Sequence, residues 1–168
     1  IKIYMIYLSV DRFSVRLLSL SKALLGQYNV SYFSKTHTSP LLEDDGSVAN
    51  VDVIASAIKE SLTSASPKAV AEKDVVLVLP QSAFSFGRYS VPQDISDSAI
   101  FPFLKDKVRS ELHVDVDNEH CDYILKRDQE QSIIFFYCQK QEVYDAFQEV
   151  MDLLQLHLYN VIPDTLAL

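Results

Sequence analysis

A chain of 168 residues, 48% of them hydrophobic, holds one ordinary domain or two small ones and has enough apolar side chains for a real core. Lys+Arg 15 against Asp+Glu 23 gives a net charge of -8, a poor match to nucleic acid, and no basic cluster interrupts it. The longest apolar run, Ile133 to Cys138, is far too short to cross a bilayer, and no signal peptide is visible.

The sequence begins at Ile1, as expected of a chain whose first residues have been cut or processed. Lys2 to Leu8 is apolar and rich in β-branched and aromatic residues, the pattern of a strand. Ser14 to Leu20 pairs back on it through the turn Asp11-Arg12-Phe13. Gly26 breaks the chain, and an alternating third strand starts at Tyr28. Pro40 to Asn50 is a polar loop whose acidic tip, Glu43 to Asp45, reads as solvated rather than as a metal site. Asn50 is the N-cap expected for a helix from Val51 to about Thr63, with Val51, Ile54, Ala55, Ile58 and Leu62 at helical spacing. After a connector, Val75 to Pro80 is a continuous apolar run, as in a strand covered on both faces.

The pattern changes at Pro80. Ala83 to Val91 alternates, with Gly87 inside it as the expected site of a bulge. Ser96 is placed to cap a helix running to about Leu112, with Asp97 at the positive end of its dipole. Pro102 is expected to kink this helix or delay its regular start. Strands Cys121 to Lys126 and Ser132 to Gln139 flank a polar hairpin turn, Arg127 to Gln131. A helix follows from Gln141 to about Gln155, with Val143, Phe147, Val150, Met151 and Leu154 as its core stripe. His157 to Ile162 is a last strand, and Pro163 to Leu168 reads as the opening of another helix.

The order is βββαβ, then βαββ, then αβ. Without the middle block it is that of a ribonuclease-H-like α/β core with a five-stranded mixed sheet. The core is thus residues 1–81 and 140–168, and residues 82–139 form an inserted βαββ subdomain with three strands and one helix. Cys121 and Cys138 fall in strands as small buried thiols, which suits a reducing compartment. His37, His113, His120 and His157 are scattered without ligand spacing, so no metal site is expected.

Four stretches carry a family resemblance: the hairpin of residues 8–17, Leu-Ser-Val-Asp-x-x-Ser-Val-Arg-Leu, and residues 75–92, 94–100 and 160–168. The chain resembles the N-terminal half of PilM, a family of actin-like type IV pilus assembly proteins, and more distantly the cell-division protein FtsA. The inserted block would then correspond to the subdomain called SHS2 or 1C. In this group the opening turn is a phosphate loop with Asp and Gly two residues apart. The matching positions here are Ser9 and Asp11. The hairpin Ser9, Asp11, Arg12, Phe13, Ser14 therefore reads as a degenerate phosphate site. It lacks the glycine that lets backbone amides approach a phosphate, and Asp11 would repel one. An actin-like site also lies between two halves, of which this chain carries one. Nuclease chemistry on this fold needs carboxylates on the first strand and at the end of the fourth. Lys2 to Leu8 has none, and the fourth ends in Leu79-Pro80-Gln81. No enzyme activity and no cofactor are expected.

What remains is binding. The resemblance implies a non-catalytic scaffold at the cytoplasmic face of the inner membrane. It would hold a short peptide of a membrane-anchored pilus or secretion assembly protein and connect it to a motor ATPase. The alternative is half of an actin-like nucleotide-binding ATPase that needs a second half. Phe84, Phe86 and Arg88 share one face of a strand and are the partner-binding residues expected, since aromatics and Arg favour interface hot spots. The competing reading buries Phe84 and Phe86 in the subdomain core. The net charge of -8 favours a basic or amphipathic peptide, expected at the junction of core and subdomain.

Overall fold

The computed structural model describes residues 5–22, 26–114, 116, 120–127 and 132–167. The chain divides into two units, Ile1–Ala83 with Glu142–Leu168, and Phe84–Gln141. In chain order the first unit supplies β1 (Met5–Val10), β2 (Ser14–Lys22), β3 (Tyr28–Thr36), α1 (Val51–Thr63) and β4 (Asp74–Leu79). The second supplies β5 (Phe84–Val91), α2 (Asp97–Leu112), β6 (Cys121–Arg127) and β7 (Ser132–Gln139). The chain returns to the first unit with α3 (Gln141–Leu154) and β8 (His157–Pro163), then a 3-10 turn, Asp164–Leu166. Residues 1–4 of the expected first strand and 128–131 of the expected hairpin turn lie outside the described residues.

The first unit is built on one mixed sheet of order β3-β2-β1-β4-β8. β2 is antiparallel to β1 and β3, while β4 is parallel to β1 and β8. That order and polarity are those of the ribonuclease-H-like core found in each half of an actin-like fold. Strand alternation sorts the side chains. Ile6, Leu8, Val10, Val15, Val75, Leu77 and Leu79 face one side and are buried. Helix α1 lies against β2 and β3 and contributes buried Ile54, Ala57 and Ile58. The buried stripe of α3 is Val143, Phe147, Val150 and Met151. Each such aliphatic or aromatic side chain contributes about 1.5–3 kcal/mol by leaving water. Helix α1 begins where the sequence requires, because Asn50 Oδ1 accepts the amide of Val53 at 3.1 Å.

The opposite face of this sheet carries Tyr7, Leu18, Val30 and Tyr32, all exposed. The irregularity in the ladder falls between Val75 and Val76, where Tyr159 of β8 is the extra residue.

The second unit is a three-stranded antiparallel sheet of order β5-β7-β6. Its core lies on the side of α2, where Ile100, Leu104 and Val108 cluster with Tyr89, Val91, Ile134 and Phe136. One expectation about this unit is corrected and one is narrowed. Gly87 is not a bulge, since β5 pairs with β7 in unbroken register from Phe84 to Val91. A Cβ there would meet the Tyr89 ring at 2.5 Å, so the glycine makes room for a core tyrosine. Of the two effects expected of Pro102, a kink or a delayed start, the delay is absent, since α2 starts at Asp97 and runs through the proline. The Ser96 hydroxyl makes no cap bond and pairs instead with that of Ser98 at 3.1 Å.

The free thiols are also corrected: Cys121 and Cys138 form a disulfide. They are directly opposite each other in β6 and β7. Gln139 donates its amide to the His120 carbonyl at 3.0 Å, which makes the next pair, 121 with 138, a narrow one that brings the sulfurs together. The cysteines therefore give no argument for a reducing compartment.

Candidate functional site

The opening hairpin is closed on itself. Asp11 Oδ1 accepts the amides of Phe13 at 2.9 Å and Ser14 at 2.7 Å, and Oδ2 accepts the Ser14 hydroxyl at 2.6 Å. Arg16 stands 3.4 Å from the same carboxylate. Burial pushes the Asp11 pKa up, but the Ser14 hydroxyl, the two amides and Arg16 together hold it below the usual carboxylate value. Asp11 is thus not a solvated turn residue. Its carboxylate occupies the amides that a bound phosphate would need. Arg12 is likewise engaged, paired with Asp44 and lying over the Phe13 ring. The Arg12 and Phe13 carbonyls accept the amides of Leu41 and His37, which ties the turn to the loop after β3. Ser9 sits on the exposed sheet face in register with Arg16.

A groove of about 650 Å³ opens beside Ser9, at the carboxyl ends of β1, β4 and β8. Ligands of α/β sheets favour that end. The walls here are mainly Tyr7, Leu18, Val78 and Ile162, with Arg16 and Asp164 at the rim. This is an apolar surface with one cation, and that cation is shared with Asp11.

The second unit presents a different arrangement on the side of its sheet away from α2. Register aligns the outward side chains in three rows. Phe86 lies beside Tyr137 and Asp122, Arg88 beside Phe135 and Ile124, and Ser90 beside Ile133 and Lys126. Phe84 precedes the first row. Its ring is 6.0 Å from that of Phe86 and 6.2 Å from that of Tyr137. Phe135 on the central strand and Ile124 beside it on β6 are 42% and 43% exposed, high values for large apolar side chains. The Arg88 guanidinium lies 5.7 Å from the centre of the Phe135 ring. Tyr137 directs its hydroxyl to Asp122 Oδ2 at 3.4 Å. Burial, with the Asp122 charge second, pushes the Tyr137 phenol up to about 12.

The structure therefore brings Phe84, Phe86 and Arg88 together on one face, and that face is not the core of the second unit. Phe84 is itself buried, Phe86 half-buried and Arg88 exposed. Sequence reasoning missed Ile124, Phe135 and Tyr137. The signal for Phe135 and Tyr137 was the run Ile133 to Cys138, apolar at odd and even positions alike. Among the described residues, no group of three His, Cys, Asp or Glu side chains could hold a metal ion.

No protein-family model matches the sequence, and no curated protein matches it. Solved structures do. A chain of the PilM-PilN type IV pilus biogenesis complex matches 98% of this chain with a TM-score of 0.70 and 19% identity. This chain has the fold of about half of PilM. The match covers 48% of the PilM chain. The cytoplasmic domain of EpsL, an inner-membrane component of the type II secretion system of Vibrio cholerae, matches 98% of this chain with a TM-score of 0.57 and 12% identity. It is covered over 58% of its length. At these identities the likeness to PilM and EpsL is one of fold. No helix among the described residues is long and apolar enough to cross a membrane.

Proposed function

We propose that the chain is a non-catalytic assembly scaffold of a pilus or secretion machine, working at the cytoplasmic face of the inner membrane. It docks a short cytoplasmic segment of a membrane-anchored assembly protein on the open face of its three-stranded sheet. The observation that carries this reading is the row Arg88, Phe135, Ile124, two large apolar side chains beside an arginine, all exposed on the side away from α2. Aromatic side chains flanked by Arg are the usual anchors of protein interfaces. The fold shared with half of PilM, solved in complex as PilM-PilN, supports the partner class. The self-closed Asp11 hairpin supports a scaffold over an ATPase half, because its amides are already bonded.

A photo-crosslinking residue in place of Ile124, introduced in cells of the source organism, tests the reading. The expected adduct is with an inner-membrane component of a pilus or secretion system. Adducts with unrelated proteins only, or none while a residue placed at Tyr32 crosslinks strongly, would reject it.

A further inference from the structure

We infer that the segment taken by the open face of the second unit is apolar and carries carboxylates, the reverse of the basic peptide suggested by the net charge. The inference rests on the docking reading above and names the chemistry of its partner. The face holds three charged side chains, Asp122, Arg88 and Lys126. Asp122 is occupied from within, since Oδ2 accepts the Tyr137 hydroxyl and Oδ1 accepts the Tyr123 amide at 2.7 Å. Arg88 and Lys126 are both exposed, and neither forms an ion pair among the described residues. Arg88 instead lies over Phe135, which holds its guanidinium above the apolar patch.

Among the described residues of the face two cations stand against one anion, so the charge they offer a ligand is positive. Part of the acidic excess belongs to the first unit, where Glu142, Asp145, Glu149 and Asp152 are exposed on α3. At physiological ionic strength, charges more than about 8 Å apart are largely screened, so charges on the face itself act most strongly on a segment lying there.

Spacing sharpens the reading. Arg88 and Lys126 stand on the two outer strands, one row apart. Two strand spacings and one two-residue step put their backbones about 12 Å apart. An extended segment spans roughly 13 Å over four residues. Two carboxylates four residues apart would reach both cations, with the apolar residues between them over Phe135 and Ile133.

Three nine-residue peptides test this, sharing one aliphatic sequence and bearing glutamates, lysines or serines at two positions four apart. Each is titrated into the full chain, into Phe135→Asp and into the double variant Arg88→Glu with Lys126→Glu. The glutamate peptide should bind about tenfold more tightly than the lysine peptide, the effect of two exposed charge pairs. The double variant should invert the order, and Phe135→Asp should abolish binding of both peptides. If the lysine peptide binds the parent chain equally well or better and Phe135→Asp abolishes it, the docking face stands and the charge assignment falls. If the preference survives the double reversal, the assignment also falls. If no peptide binds, or Phe135→Asp has no effect, inference and docking reading fall together. Thermal melts like that of the parent chain confirm that the variants are folded.

Discussion

The Asp11 carboxylate accepts both the amide and the hydroxyl of Ser14, at 2.7 Å and 2.6 Å. This pair makes a hairpin that satisfies its own amides. Calorimetry of the chain with ATP and Mg²⁺ should accordingly show no binding in the micromolar range. Micromolar affinity would mean that the Asp11 side chain leaves the turn, and the scaffold reading would lose its main support against an ATPase half.

The same pair sets a pH dependence. The Asp11 pKa is lowered in the folded chain, so folding favours its charged form. The stabilisation is then fully present above the unfolded value near 4 and is lost as pH falls through the lower folded value. Asp11→Asn should be less stable than the parent by about 1 kcal/mol at pH 7. Denaturant melts from pH 7 to pH 2.5 should show that difference shrinking below about pH 4. A gap that stays constant to the acid limit would contradict the assignment.

Gly46 has φ +84, and a Cβ there would lie 2.5 Å from the Ala83 amide nitrogen and 2.6 Å from the Ser82 carbonyl carbon. Both neighbours are backbone and cannot rotate away. Gly46→Ala should therefore cost about 2 kcal/mol or more, from the left-handed conformation and the clash together. Chemical denaturation measures it. A change under about 0.5 kcal/mol, the ordinary range for surface positions, would show that the loop relaxes freely.

The Cys121–Cys138 bridge spans a sequence separation of 17. A loop of that size stabilises by about 3 kcal/mol through the unfolded chain. The oxidised protein should show no free thiol on titration. Reduction should lower the stability of the second unit, yet six further register pairs still hold β6 on β7. Reduced protein at 25 °C should keep its far-UV circular dichroism. Loss of that signal on reduction would make the bridge essential to the fold.

How far the sequence could be read depended on whether one face or both were apolar. Helix α1 was legible to the residue, because Asn50 has a cap role and the apolar positions recur on one stripe. Strand β2 was legible from the short turn that folds it back on β1, β3 from its alternation, and the strand order follows from the interrupted run of elements. Strand β5 was legible as a strand but not in its orientation. Phe84 and Phe86 on one side and Tyr89 and Val91 on the other are equally apolar, so a period of two says which residues share a face and not which face meets α2. The disulfide depends on a register that no local pattern fixes. The closed hairpin had a readable signal, an Asp followed three residues on by Ser, a spacing at which side chains bond their own turn.

The central claim is that the face of β5, β7 and β6 away from α2 receives the partner. Nuclear magnetic resonance of the full chain, titrated with the cytoplasmic segment of the membrane protein that crosslinks at position 124, tests it most directly. The account predicts shifts concentrated at Phe86, Arg88, Ile124 and Phe135, with Tyr7, Leu18 and Tyr32 unmoved. Shifts confined to Tyr7, Leu18 and Tyr32 would move the site to the sheet of the first unit and contradict it.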